Sequence, residues 1–199
     1  INLAANHDLT VLTYRKRGRP PIADQLPGVR VIEWLEPPIV GRAERLNSLL
    51  KPAYFPFAWS AHRWIHHALS HGEHFDIAHQ PLPVAMRYPS PLAGKPFPYV
   101  IGPVGGGIQS PPSFDAEDTA PWYLKLRRFD SFRIRRDPWL RRSYEQAACV
   151  LGIAPYVREL LRDLNVRRLE YMSETALTEL PTALNRHHVD GPVRLLFVG

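Results

Sequence analysis

Apolar residues in this chain gather in short runs, separated by longer amphipathic or proline-bearing stretches. Leu9 to Thr13 is short and rich in β-branched residues, which predicts a strand. Val29 to Trp34 predicts a second, ended by Pro37-Pro38, and Phe75 to His79 and Phe97 to Ile101 predict the next two. Cys149 to Ala154, Arg168 to Met172 and Val193 to Val198 complete the series. Helical spacing fills the intervals. One stretch runs from about Arg42 to His71, where Pro52 and Pro56 are expected to break or kink the helix. That leaves a strong helix over Ala58 to Ser70, stopped by Gly72. Pro121 to Gln146 is expected to be mostly helical, and Pro155 to open a helix through Leu164. Val84 to Met86 allows a helical turn, and Ser110 to Thr119 and Glu174 to His188 read mainly as loop.

Strands alternating with helices imply βαβ units. The strands are continuous apolar runs rather than alternating ones, as expected when both faces of a parallel sheet are covered. The expected fold is therefore α/β, with a Rossmann-like, doubly wound, mostly parallel sheet.

The fourth predicted strand runs into Gly102-Pro103-Val104-Gly105-Gly106-Gly107. Consecutive glycines have no side chains to hold a ligand away from the backbone and reach backbone angles closed to other residues. In open α/β sheets ligands bind at the carboxyl ends of the strands. His79 closes the third strand and should open on that same edge. Its imidazole there can hydrogen-bond a sugar hydroxyl or a phosphate, exchange a proton, or simply cap its own strand.

Charge adds a second candidate surface. The chain carries a formal +6 with a pI near 9.7. Arginine supplies most of it, since lysine occurs only at Lys16, Lys51, Lys95 and Lys125. Arginine favours bidentate contacts with phosphates, although codon bias in a GC-rich genome gives an arginine-rich chain with no functional meaning. From Trp122 to Arg142, aromatic and basic residues interleave at roughly helical spacing, including Arg127, Arg128, Arg135, Arg136 and Trp139. Such a helix suits an anionic membrane surface and equally suits an aromatic stripe packed on the sheet with solvated arginines. No nucleic-acid motif accompanies the charge, and no nucleic acid is expected as a partner.

Other chemistry is less well supported. His62 and His66 stand one helical turn apart, but no glutamate adjoins His62 and no third ligand is evident, so no metal is expected; His67 and His187-His188 add nothing. No cofactor is expected. Cys149, the only cysteine, lies in an apolar run and reads as a structural thiol. No apolar run approaches the roughly 20 residues of a membrane-spanning helix.

These residues carry a family resemblance. His7 to Thr13 resembles the helix end and second strand of the N-terminal domain of a GT-B glycosyltransferase. Phe75-Asp76-Ile77-Ala78-His79 resembles the histidine-ended strand of glycosyltransferase family 4, and Gly102 to Gly107 a turn found in its bacterial members. Leu151 to Leu161, with Pro155-Tyr156-Val157, resembles the strand and helix leading to the interdomain cleft. The resemblance implies an acceptor-side domain over residues 1–190, without its first strand, and the start of a donor-binding domain over 191–199. It implies retaining, metal-independent transfer of a sugar from a nucleotide sugar to a glycan or lipid-linked acceptor, in the cytoplasm or at the inner face of the membrane. His79 would orient the sugar, and Gln80, Gly102, Gly105, Gly106 and Gly107 would line the acceptor side. Residues 1–199 alone are expected to be inactive, with a gap in the sheet. The competing expectation is a non-catalytic basic module docked on anionic membrane or nucleic acid.

Overall fold

The structure, a computed structural model, describes residues 3–37, 51–106 and 128–173, with the side chains of 128–131 left aside. Gly107, Trp122, Arg127, the Arg128 side chain, the 42–50 part of the first helical stretch, the 110–119 loop and everything predicted beyond Ser173, including the domain boundary at 190, lie outside them.

The described strands are β1 (Thr10–Arg15), β2 (Arg30–Leu35), β3 (Ala78–Gln80), β4 (Tyr99–Val104), β5 (Cys149–Gly152) and β6 (Leu169–Tyr171). The helices are α1 (Tyr54–Ser70), α2 (Arg128–Arg136), α3 (Pro138–Glu145) and α4 (Tyr156–Leu161). All ladders are parallel: β1 pairs with β2, and β3-β4-β5-β6 form a second group. The α/β, Rossmann-like, parallel architecture is therefore as expected. Among the described residues no ladder joins β1 to β3, so the sheet is in two parts.

Packing on α1 links those parts. Ala61, Ile65 and Ala68 recur at helical spacing and are buried. On the side of the first group, Phe57 meets Tyr14 edge-on at 5.2 Å and Trp34 at 6.0 Å. At the other end of the helix, Arg30 holds Glu73 through two hydrogen bonds of 2.7 and 3.2 Å. The main core surrounds β4 and β5, where Ile101, Val104, Val150, Val157, Leu140 and Tyr144 are all buried.

Several element ends differ from the sequence expectation, each for a local reason. The first helix begins at Tyr54, not Ala58. Pro56 falls in its first turn, where its missing N–H has no intrahelical partner to lose. Gly72 ends it as expected, with φ +85° and Glu73 N–H donating to Ala68 O at 3.0 Å. The long basic helix is broken at Asp137-Pro138. The Asp137 carboxylate accepts from the backbone N–H of Trp139 (3.0 Å) and Leu140 (3.3 Å), capping α3, with Pro138 at its first position.

Residues 84–86 form no helical turn; Ala85 instead bridges to Gly105 in parallel fashion. Several backbone polar groups of this irregular stretch are held by hydrogen bonds from elsewhere in the chain, as buried backbone requires. Tyr54 Oη–H donates to Pro89 O at 2.7 Å, Tyr144 Oη–H to Met86 O at 3.0 Å, and Ser90 N–H to Ser143 Oγ at 2.8 Å. Burial raises the Tyr54 and Tyr144 hydroxyls well above their ordinary pKa, so both act as neutral donors. The helix after β5 stops at Leu161 rather than Leu164.

Candidate functional site

β4 is one of the two inner strands of its group, and it extends past Ile101 to Val104, beyond the expected end. Its pairing with β5 slips between Ile101↔Val150 and Val104↔Gly152, so Gly102 and Pro103 together oppose Leu151. A bulge tolerates proline inside a sheet, because the extra residue makes no ladder hydrogen bond. Gly102 has φ +121°, and a Cβ there would lie 2.3 Å from Leu151 O. Only glycine allows both the angle and the approach.

The bulge meets β3 through His79. Its Nε2 lies 2.6 Å from Gly102 O. A carbonyl oxygen only accepts, so Nε2 carries the proton and donates. In the neutral ring Nδ1 is then a bare acceptor, at the carboxyl edge of the sheet, on an exposed residue. The two motifs singled out in the sequence are thus joined by one hydrogen bond.

The other candidates separate. Gln80 sits next to His79, but its side-chain amide is engaged within the protein: Nε2–H donates to Tyr54 Oη at 3.1 Å, and Oε1 accepts from Ser90 Oγ at 2.5 Å. Gly105 N–H donates to Val84 O at 2.8 Å, and Gly106 N–H to Tyr156 Oη at 3.0 Å. Neither amide is directed at a ligand. A Cβ on Gly105 would lie 2.3 Å from Ile153 Cδ1 and 3.0 Å from Tyr156 Oη, whereas one on Gly106 would have only Ala85 Cα, at 4.0 Å, within reach. Gly102 is thus required by backbone packing, and a side chain at Gly105 would have to displace Ile153. Of the described glycines in this turn, Gly106, at φ +96°, is the one whose bare face meets open space.

Tyr156 follows β5 at the same edge; the sequence placed it in the Pro155-Tyr156-Val157 run leading to the cleft but gave it no role in the site. Tyr54 and Ser90, which hold Gln80, carried no local signal because they lie 26 and 10 residues from it.

The basic helices show both faces of the sequence dilemma. Ile134 and Leu140 are buried, while Phe132 is 58% and Trp139 74% exposed. Arg135 pairs with Asp163 at 2.8 Å, and Arg136 stands over the Phe132 ring at 5.8 Å. No described helix is long and apolar enough to cross a membrane, and the described residues hold no cluster of His, Cys, Asp and Glu able to bind a metal.

In a Rossmann-like parallel domain the carboxyl edge of the strands, where this histidine and glycine turn stand, is where ligands bind. Residues 2–172 match the model of the glycosyl transferase 4-like domain. The chain belongs to that family, and its general function is that of a glycosyltransferase domain. No curated protein and no solved structure matches it at a significant level.

The glycines give a graded prediction in urea denaturation. Gly102→Ala meets backbone on both counts and should cost about 3 kcal/mol or more. Gly106→Ala should cost only the strain of its positive φ, about 1–2 kcal/mol. Equal losses at the two positions would contradict this packing.

Proposed function

We propose that this chain is the acceptor-side domain of a retaining, metal-independent glycosyltransferase of hexosyltransferase type. It moves a sugar from a nucleotide-sugar donor to a glycan or lipid-linked acceptor, in the setting of bacterial polysaccharide synthesis. The observation that carries the reading is the His79–Gly102 hydrogen bond at the carboxyl edge of a domain of the glycosyl transferase 4-like family. With Nε2–H held by the protein, Nδ1 is free to accept a hydroxyl of the transferred sugar and fix its orientation. In a same-face transfer the leaving phosphate takes the acceptor proton, so His79 serves as an orienting group. The donor nucleotide is held chiefly by a second domain. Cytoplasmic placement at the inner membrane face belongs to the same proposal, supported by exposed Trp139 and Phe132 beside Arg136.

His79→Ala in the full-length protein should lower turnover roughly 10-fold or more, the scale of a lost hydrogen bond, and cost about 1 kcal/mol of stability through the lost bond to Gly102 O. Normal turnover with an unchanged acceptor constant would remove His79 from the site. For the membrane reading, flotation with phosphatidylglycerol vesicles should show binding that collapses when Arg127, Arg128, Arg135 and Arg136 are replaced by glutamine, at about 1 kcal/mol for each charge near the surface. Undiminished binding would exclude these helices as the docking face. Vesicle binding by a full-length protein that transfers no sugar would instead favour the non-catalytic module.

A further inference from the structure

Tyr156 stands at the same sheet edge with a function that neither the family assignment nor the His79 reading supplies. Its hydroxyl oxygen accepts from Gly106 N–H at 3.0 Å. This ties the start of α4 to the glycine turn, 50 residues earlier in the chain. The same oxygen lies 3.0 Å from where a Gly105 Cβ would stand, so the ring and turn are in close contact. A phenol has one proton to donate besides the lone pairs with which it accepts. Among the described residues no group accepts that proton, and Tyr156 is only half-buried. Beside it, Gly106 presents a bare Cα at φ +96°. The Gly105 and Gly106 amides are engaged internally, so among the described residues of this turn the Tyr156 hydroxyl is a polar hydrogen left for a ligand.

We propose that Tyr156 is the positioning residue of the glycine turn and its hydrogen-bond donor to the ligand: it takes the Gly106 N–H and gives its own proton to a sugar hydroxyl oxygen. This rests on the sugar-binding reading of the edge. It differs from the His79 role in sign, because His79 Nδ1 accepts where Tyr156 donates.

The test uses the full-length protein labelled with ¹⁵N-glycine. The Gly106 amide signal is identified as the one lost in Gly106→Ala. In Tyr156→Phe, which keeps the ring and removes only the oxygen, Gly106 amide exchange should accelerate about five-fold or more, the scale of one neutral hydrogen bond. Exchange unchanged from the native protein overturns the positioning role. The probe for the ligand is octyl β-D-glucoside, with inorganic phosphate as a second arm. The glucoside should shift the Gly106 signal, and its apparent affinity should fall about five-fold or more in Tyr156→Phe. A response to phosphate alone, or equal glucoside affinity in the two proteins, overturns the donor role. Glucoside that binds neither protein overturns the donor role as well and removes the sugar-site reading beneath it, while the exchange measurement still judges the clamp.

Discussion

The close approach of Gly102 to Leu151 is the constraint on which this edge of the molecule depends. Two residues of β4 must fit against one of β5, and the backbone of Leu151 occupies the space that any side chain at 102 would need. The resulting bulge lets a proline sit in an inner strand and places the Gly102 carbonyl within reach of His79. His79 in turn is fixed in register by its pairing with Val100. The imidazole tautomer is therefore set by backbone packing, through one carbonyl. Orientation of a functional histidine by a carbonyl is a general way to decide which ring nitrogen meets the ligand.

Around that joint, polar groups of neighbouring segments are used up in building the edge. Tyr54, Gln80, Ser90 and Ser143 form a chain of hydrogen bonds from the end of β3 to α3. Tyr99 continues the same logic: it donates to Ser143 O at 2.8 Å, and burial pushes its pKa up to about 12. Among the described residues of this edge, what stays unengaged is a short inventory: the His79 Nδ1 lone pair, the bare face of Gly106 and the Tyr156 hydroxyl. The rigid surroundings favour this inventory, because a site held by satisfied hydrogen bonds loses little freedom when it binds.

Much of this was legible in the sequence, and the rest was hidden for physical reasons. Strands such as Cys149–Gly152 announce themselves because a parallel strand buried on both faces is a continuous apolar run. Ends were harder. Pro56 reads as a breaker until its position in the first turn is known, and Asp137-Pro138 carried a cap signal that the basic and aromatic pattern on either side obscured. Glycine identity pointed to the correct turn but not to the reason for each glycine. Gly102 answers to Leu151 and Gly105 to Ile153 and Tyr156, partners some 50 residues away that no local pattern reveals. Gln80 shows the same limit: its place beside His79 is local, but the Tyr54 and Ser90 contacts that engage its amide are tertiary.

The central claim is that the protein itself fixes His79 as the Nε2–H tautomer, leaving Nδ1 as the acceptor. It is tested most directly by ¹⁵N imidazole spectroscopy on the histidine-labelled protein, with His79 assigned by its loss in His79→Ala. At alkaline pH, where imidazole is neutral, the account predicts a protonated Nε2 and a bare Nδ1. A His79 ring protonated at Nδ1, or exchanging freely between the two tautomers, would contradict it.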